Sequence, residues 1–213
     1  MGLLGSLLAL TGCGSAVEWN RKITVIVNTP RGEVTGYAVQ REGIAEKGGW
    51  WAPMEATGAA RHLAGEAVVV DMGEGKFLFA LMQENRPDTF QVLRPDEAPL
   101  KIAADMATMR GPHRLSSKDY PLLVMFTDIN EPASVKAIKP VNLAAPFGQG
   151  YSLKSITLEI TEEEVTEGTV RDILPWIDSY HDKHLDGNTI ETIDAANRLA
   201  NSLASGNFTT RRN

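Results

Sequence analysis

Two apolar runs joined by a glycine turn constrain this chain more than any other stretch of it. Glu66-Ala67-Val68-Val69-Val70-Asp71 leads through Met72-Gly73-Glu74-Gly75 into Lys76-Phe77-Leu78-Phe79-Ala80-Leu81-Met82. β-Branched and aromatic residues favour strands, and glycines in the connection accept the dihedrals that a tight hairpin turn requires. A strand with one wet face alternates apolar and polar residues. These runs do not, which predicts central strands covered on both faces.

Other segments carry weaker versions of the same signals. Lys22–Val27 and Val34–Gln40 flank Thr29-Pro30-Arg31-Gly32-Glu33, a turn signal, and predict an N-terminal hairpin. Pro121–Thr127 reads as a buried strand ended by Asp128-Ile129-Asn130-Glu131-Pro132. Ser155–Thr161 alternates with period two, so one of its faces is expected to be wet. Phe90–Leu93 reads as a short edge strand inside a proline-rich connection. Short helices are expected at Gly58–Leu63 and at Pro140–Phe147, the latter closed by Gly148 and Gly150. Ile190, Ile193, Ala196, Leu199, Ala200 and Leu203 fall at helical spacing and predict a C-terminal helix ending before Gly206. The sum is an α+β fold, strand-dominated, of antiparallel hairpins with a few short helices.

The totals exclude several classes. A chain of 213 residues with 43% hydrophobic and 23% charged residues suits one globular domain with a sizeable core. Its net charge of -6 argues against nucleic acid as a partner. Cys13 is the single cysteine, so neither an intramolecular disulfide nor a cysteine-based zinc site can form.

The N-terminus points to a compartment. Leu3–Leu10 is apolar but too short to span a bilayer, and it exits through small residues, the layout of a secretory signal. Leu10-Thr11-Gly12-Cys13 resembles the lipobox of bacterial lipoproteins, in which a peptidase cuts before a cysteine that takes a diacylglyceryl group. The pattern departs at one point: no Lys or Arg precedes Arg21, so the basic n-region is missing. The resemblance implies a signal peptide over 1–12, a lipidated Cys13 with a short tether over 13–19, and one β-rich domain over 20–213. Gly14, in place of a retaining aspartate, implies the outer membrane facing the periplasm. The body is also similar to an uncharacterised proteobacterial lipoprotein-type family through Ile23–Gly36, Gly65–Leu81, Tyr120–Asn130, Ser152–Thr161 and Leu174-Pro175-Trp176. That family brings no assigned activity and adds no catalytic residue.

Candidate chemistry is sparse. His181 and His184 are three apart and would share a helix face, but no third ligand is evident, with His62 and His113 far off in sequence. Asp71 and Asp128 each follow an apolar strand, where a partly desolvated carboxylate can serve acid–base chemistry; the same position is where aspartate closes turns. Ser116-Ser117-Lys118 lacks the Ser-x-x-Lys spacing, and Gly148-Gln149-Gly150 lacks the Lys-Ser/Thr pair of a phosphate loop. Trp50 and Trp51, beside Gly48 and Gly49, are the candidate binding surface, set against the commoner role of plugging a loop onto the core. The expectation is a membrane-anchored envelope module that binds or assembles with an envelope protein, without catalytic residues, metal or cofactor. The alternatives are a periplasmic hydrolase using Asp71 and Asp128, and a cytosolic protein with an uncleaved apolar N-terminus.

Overall fold

The computed structural model of the chain describes residues 16–45, 60–82, 105 and 109–211; Cys13, Trp50, Trp51 and the Phe90–Leu93 segment lie outside them. Strand β1 (Ala16–Thr29) and strand β2 (Gly32–Ala45) pair antiparallel along their whole length, from Ala16 opposite Ala45 to Thr29 opposite Gly32. Both outrun the apolar segments that announce them, and β1 takes in most of the segment expected as a tether. Trp19 shows why: its ring is 5% exposed, and its indole N–H donates to Glu42 of β2 at 3.1 Å. Strand β3 (Ala60–Ala64) adds to the free side of β2.

The hairpin forms as the apolar runs predict, but only its second strand is central: the first lies at the edge of its sheet and alternates, buried at Val68, Val70 and Met72 and exposed at Asp71. Strands β4 (Val68–Gly73) and β5 (Lys76–Ala80) pair antiparallel. Strand β6 (His113–Arg114) joins the first sheet, while β7 (Leu123–Phe126) and β8 (Val135–Ile138) extend the hairpin. Strand β9 (Ser152–Thr161) returns to pair with β1. The result is two antiparallel sheets, ordered β3-β2-β1-β9-β6 and β4-β5-β7-β8. Short helices α1 (Ala144–Phe147), α2 (Thr169–Ile173) and α3 (Arg198–Ser202) complete the fold.

Three layers follow from the packing. Val25, Val27, Ile156 and Leu158 of the first sheet meet Val68, Val70, Leu78 and Leu123 of the second. The other face of the second sheet, through Phe79, Val124 and Phe126, is covered by Val170, Leu174, Ile177, Leu203 and Phe208 of the C-terminal segment. Phe79 makes edge-to-face contacts with Phe126 and Phe208 at centroid distances of 5.7 and 5.8 Å, an arrangement the ring quadrupole favours. Both faces of β5 and β7 are therefore dry, which is why their sequences are apolar without alternation. The two sheets come closest where β2 crosses β4. A Cβ on Gly36 would stand 2.1 Å from the carbonyl oxygen of Val69, so only a residue without a side chain fits.

The structure overturns or trims several helical expectations. Ala60–Ala64 is strand, not the helix read at Gly58–Leu63, because the outer edge of β2 offers it a ladder. Helix α1 covers only the last part of Pro140–Phe147, since the Asn142 carboxamide oxygen accepts from Ala145 N at 3.2 Å and starts the helix there. The C-terminal helix shrinks to Arg198–Ser202, and Ile190 and Ile193 are 68% and 79% exposed. Asn side chains decide this. Asn197 accepts from Ala200 N, while Asn201 accepts from Thr192 N at 2.7 Å and donates to Ile190 O, holding 190–192 out of a helical turn.

Candidate functional site

The strand-end aspartates do not make a site. Asp71 Oδ1 accepts from Gly73 N at 2.8 Å and Asp128 Oδ1 accepts from Asn130 N at 3.0 Å, each closing its own turn. β5 lies between their strands, and the registers put Asp128 two residues beyond the level of Asp71. That separates them by roughly 10 Å across the sheet and roughly 7 Å along it.

The histidines diverge as well. His62 sits on β3 and His113 on β6, at opposite edges of the first sheet. His181 has both ring nitrogens engaged, Nε2 with Asp178 at 3.2 Å and Nδ1 with the Ser205 hydroxyl at 2.8 Å. His184 keeps a buried Nδ1 without a hydrogen bond. Neighbouring Asp186 is held by Asn188 and Asn201; burial pushes its carboxyl up, but these bonds and His184 outweigh it and leave it below the usual range. Among the described residues no group of three His, Cys, Asp or Glu comes together to hold a metal.

Asp178, His181 and Ser205 are the residue types of a hydrolytic triad, and sequence reasoning missed the row because Ser205 is remote from the other two. Its burial is the reverse of what catalysis needs. Ser205 is 1% exposed, whereas the Asp178 side chain is 54% exposed. Arg171 explains the row: its Nε donates to both Asp178 oxygens at 3.0 and 3.1 Å, and its other nitrogens donate to Thr209 and Thr210. The Arg171 hydrogen bond, opposed by burial and helped by the Arg171 charge and by His181, holds the Asp178 carboxyl below the usual range. The row ties the Ile177–Tyr180 turn to the chain's end. Ser116, likewise, donates its hydroxyl to Asp119.

A second buried polar row lies on the inner face of the first hairpin. Glu42, 2% exposed, takes Trp19 on one oxygen and Arg21 on the other, the latter at 2.8 Å. Arg21 donates onward to Gln40, and Gln40 donates to Glu66 O at 2.8 Å. The Glu66 carboxylate, fully buried, accepts from the backbone nitrogens of Gly168, Thr169 and Val170 at the start of α2. Every member is satisfied, so the row fastens the first sheet to the C-terminal layer.

Among the described residues, the outer side of β8 is one sheet edge left open to a partner. Its pairing with β7 runs from Leu123 opposite Ile138 to Phe126 opposite Val135, and Thr127 N donates to Ser134 O. In an antiparallel pair the bonded and non-bonded positions alternate, so the backbone groups of Val135 and Ala137 point away from β7. Val135 N–H turns back to Pro132 O. The N–H and C=O of Ala137 meet no strand among the described residues, and the residue is exposed. Beside this edge runs a cavity of about 480 Å³, floored by Met125 and Ile138 and walled by Ala145 and Pro146 of α1. Lys136 and Lys139 flank it, no carboxylate lines it, and neither lysine makes an ion pair among the described residues. A larger cavity of about 670 Å³ beside α3 is lined by Glu191, Arg198 and the exposed Ile193, with charges of both signs. The sequence marked Pro121–Thr127 and Pro140–Phe147 separately; nothing local in either marks the groove their packing creates.

No protein-family model, curated protein or solved structure matches the chain.

Proposed function

We propose that this chain is a lipid-anchored domain of the bacterial envelope that works as a non-catalytic binding or assembly module, held at the outer membrane and facing the periplasm. The observation that carries the reading is the Leu10-Thr11-Gly12-Cys13 box followed directly by β1 at Ala16. Three residues from Cys13 reach at most about 11 Å, so an acylated Cys13 would seat the domain against the headgroups. The open groove supports the binding half. Helix α1 ends shortly before β9 begins at Ser152, and Ser152 pairs with Asn28, twelve residues along β1 from Ala16. A strand of that length spans about 40 Å, so the groove would face away from the bilayer. Trp50 and Trp51 are a second proposed contact surface.

The test is mass spectrometry of the native N-terminus together with palmitate labelling of wild type and Cys13→Ser. An N-terminus at an acylated Cys13, with label and membrane fractionation lost in Cys13→Ser, is the expected result. An unprocessed, unlabelled chain would overturn the anchor and favour the cytosolic alternative.

A further inference from the structure

We propose that the β8 groove takes an extended acidic segment of a partner protein, added as a strand to the edge of the second sheet. The proposal rests on the reading of the domain as a binding module, though not on its anchor. Strand addition needs an edge with outward donors and acceptors, and Ala137 supplies an N–H and a C=O at the centre of β8. It also needs pockets for alternate side chains. Met125 and Ile138 lie on the face that a strand beside β8 would share, with Pro146 opposite.

Charge selects the occupant. Among the described residues, Lys136 and Lys139 are the charged side chains lining the cavity, beside the neutral Thr127 and Asn142, in a chain whose net charge is -6. Lysines also guard sheet edges against unwanted pairing, and that is their plainest role. A guard works against apolar or basic strands and against a second copy of this chain, because pairing β8 with itself would bring like charges together. The same two ammonium groups favour a strand carrying Asp or Glu. Edge and charge together therefore admit an acidic strand and reject the alternatives.

The experiment pans a phage-displayed library of random nine-residue peptides on the full chain carrying Cys13→Ser, so that failure of the anchor leaves the groove testable. Enriched peptides are expected to alternate apolar with acidic residues. Their affinity, measured by fluorescence anisotropy, is expected to fall about tenfold in Ala137→Pro, which removes the outward donor. A similar fall is expected in Lys136→Glu/Lys139→Glu, which keeps the proposal testable should the proline variant fail to fold. Circular dichroism melts should stay unchanged for the lysine variant. No enrichment, enrichment without acidic residues, or affinity indifferent to the lysine variant would overturn the proposal. A dimer in light scattering that Ala137→Pro converts to monomer would also overturn it, assigning the edge to a second copy.

Discussion

The carboxylate of Glu66 accepts the backbone N–H of Val170 at 3.1 Å across 104 residues of chain. Its remaining contacts, with Gly168 N and Thr169 N, make it the cap of α2, a helix that has no side-chain cap of its own. The same residue offers its carbonyl oxygen to Gln40 and pairs its backbone with Thr209, so one glutamate touches all three layers.

Glu66→Gln should therefore destabilise the domain well beyond the loss of a surface charge. Glutamine has a single acceptor oxygen, and its amide would meet backbone donors. Leaving a buried N–H without a partner costs about 1–3 kcal/mol, and equilibrium urea unfolding should show a lower midpoint of that order with an unchanged slope. A midpoint equal to wild type would mean that the cap is dispensable.

Gly36→Ala tests the crossing of β2 over β4. The added methyl would lie 2.1 Å from Val69 O, a backbone atom that cannot move aside without shifting β4. Overpacking of this kind costs typically about 1–3 kcal/mol, so a clear fall in thermal midpoint is expected. An unaltered melt would show that the sheets separate more easily than the packing implies.

Asp178 gives the domain a pH dependence on the acid side. Its carboxyl is held low chiefly by the Arg171 hydrogen bond, so its contribution is present above the ordinary carboxylate pKa and disappears as pH falls through the depressed folded value. The side chain is more than half exposed and screened by solvent, which limits the effect to below about 1 kcal/mol. Stability curves of wild type and Asp178→Asn should differ at neutral pH and converge in strong acid. Curves that stay parallel down to the acid transition would contradict this account.

Trp51→Ala separates a binding surface from a core plug. Exposed positions change stability by less than about 0.5 kcal/mol, whereas a buried tryptophan costs about 3–5 kcal/mol on truncation. The binding-surface reading expects a nearly unchanged denaturant midpoint. A large fall would place the ring in the core and remove it as a contact residue.

Much of the fold was legible because strands and turns are local. The apolar runs of β4, β5 and β7, the Pro30–Gly32 turn and the alternation of β9 each declare themselves within a few residues. The C-terminal segment was misread for an equally local reason. Apolar spacing announced a helix from Ile190, but Asn197 and Asn201 carry side chains that compete for the backbone groups a longer helix would use. Spacing alone does not register that competition.

The chain by itself determined its periods, its turns, its acidity and the single cysteine behind an apolar start. Only the tertiary structure decided which side chains meet. Glu66 and Val170, and Arg171 and Thr209, are partners through packing, and Lys136 and Pro146 come to line one groove. The physical reason is range. Backbone preference acts over a few residues, whereas burial, charge pairing and an open sheet edge depend on segments brought together from far along the chain.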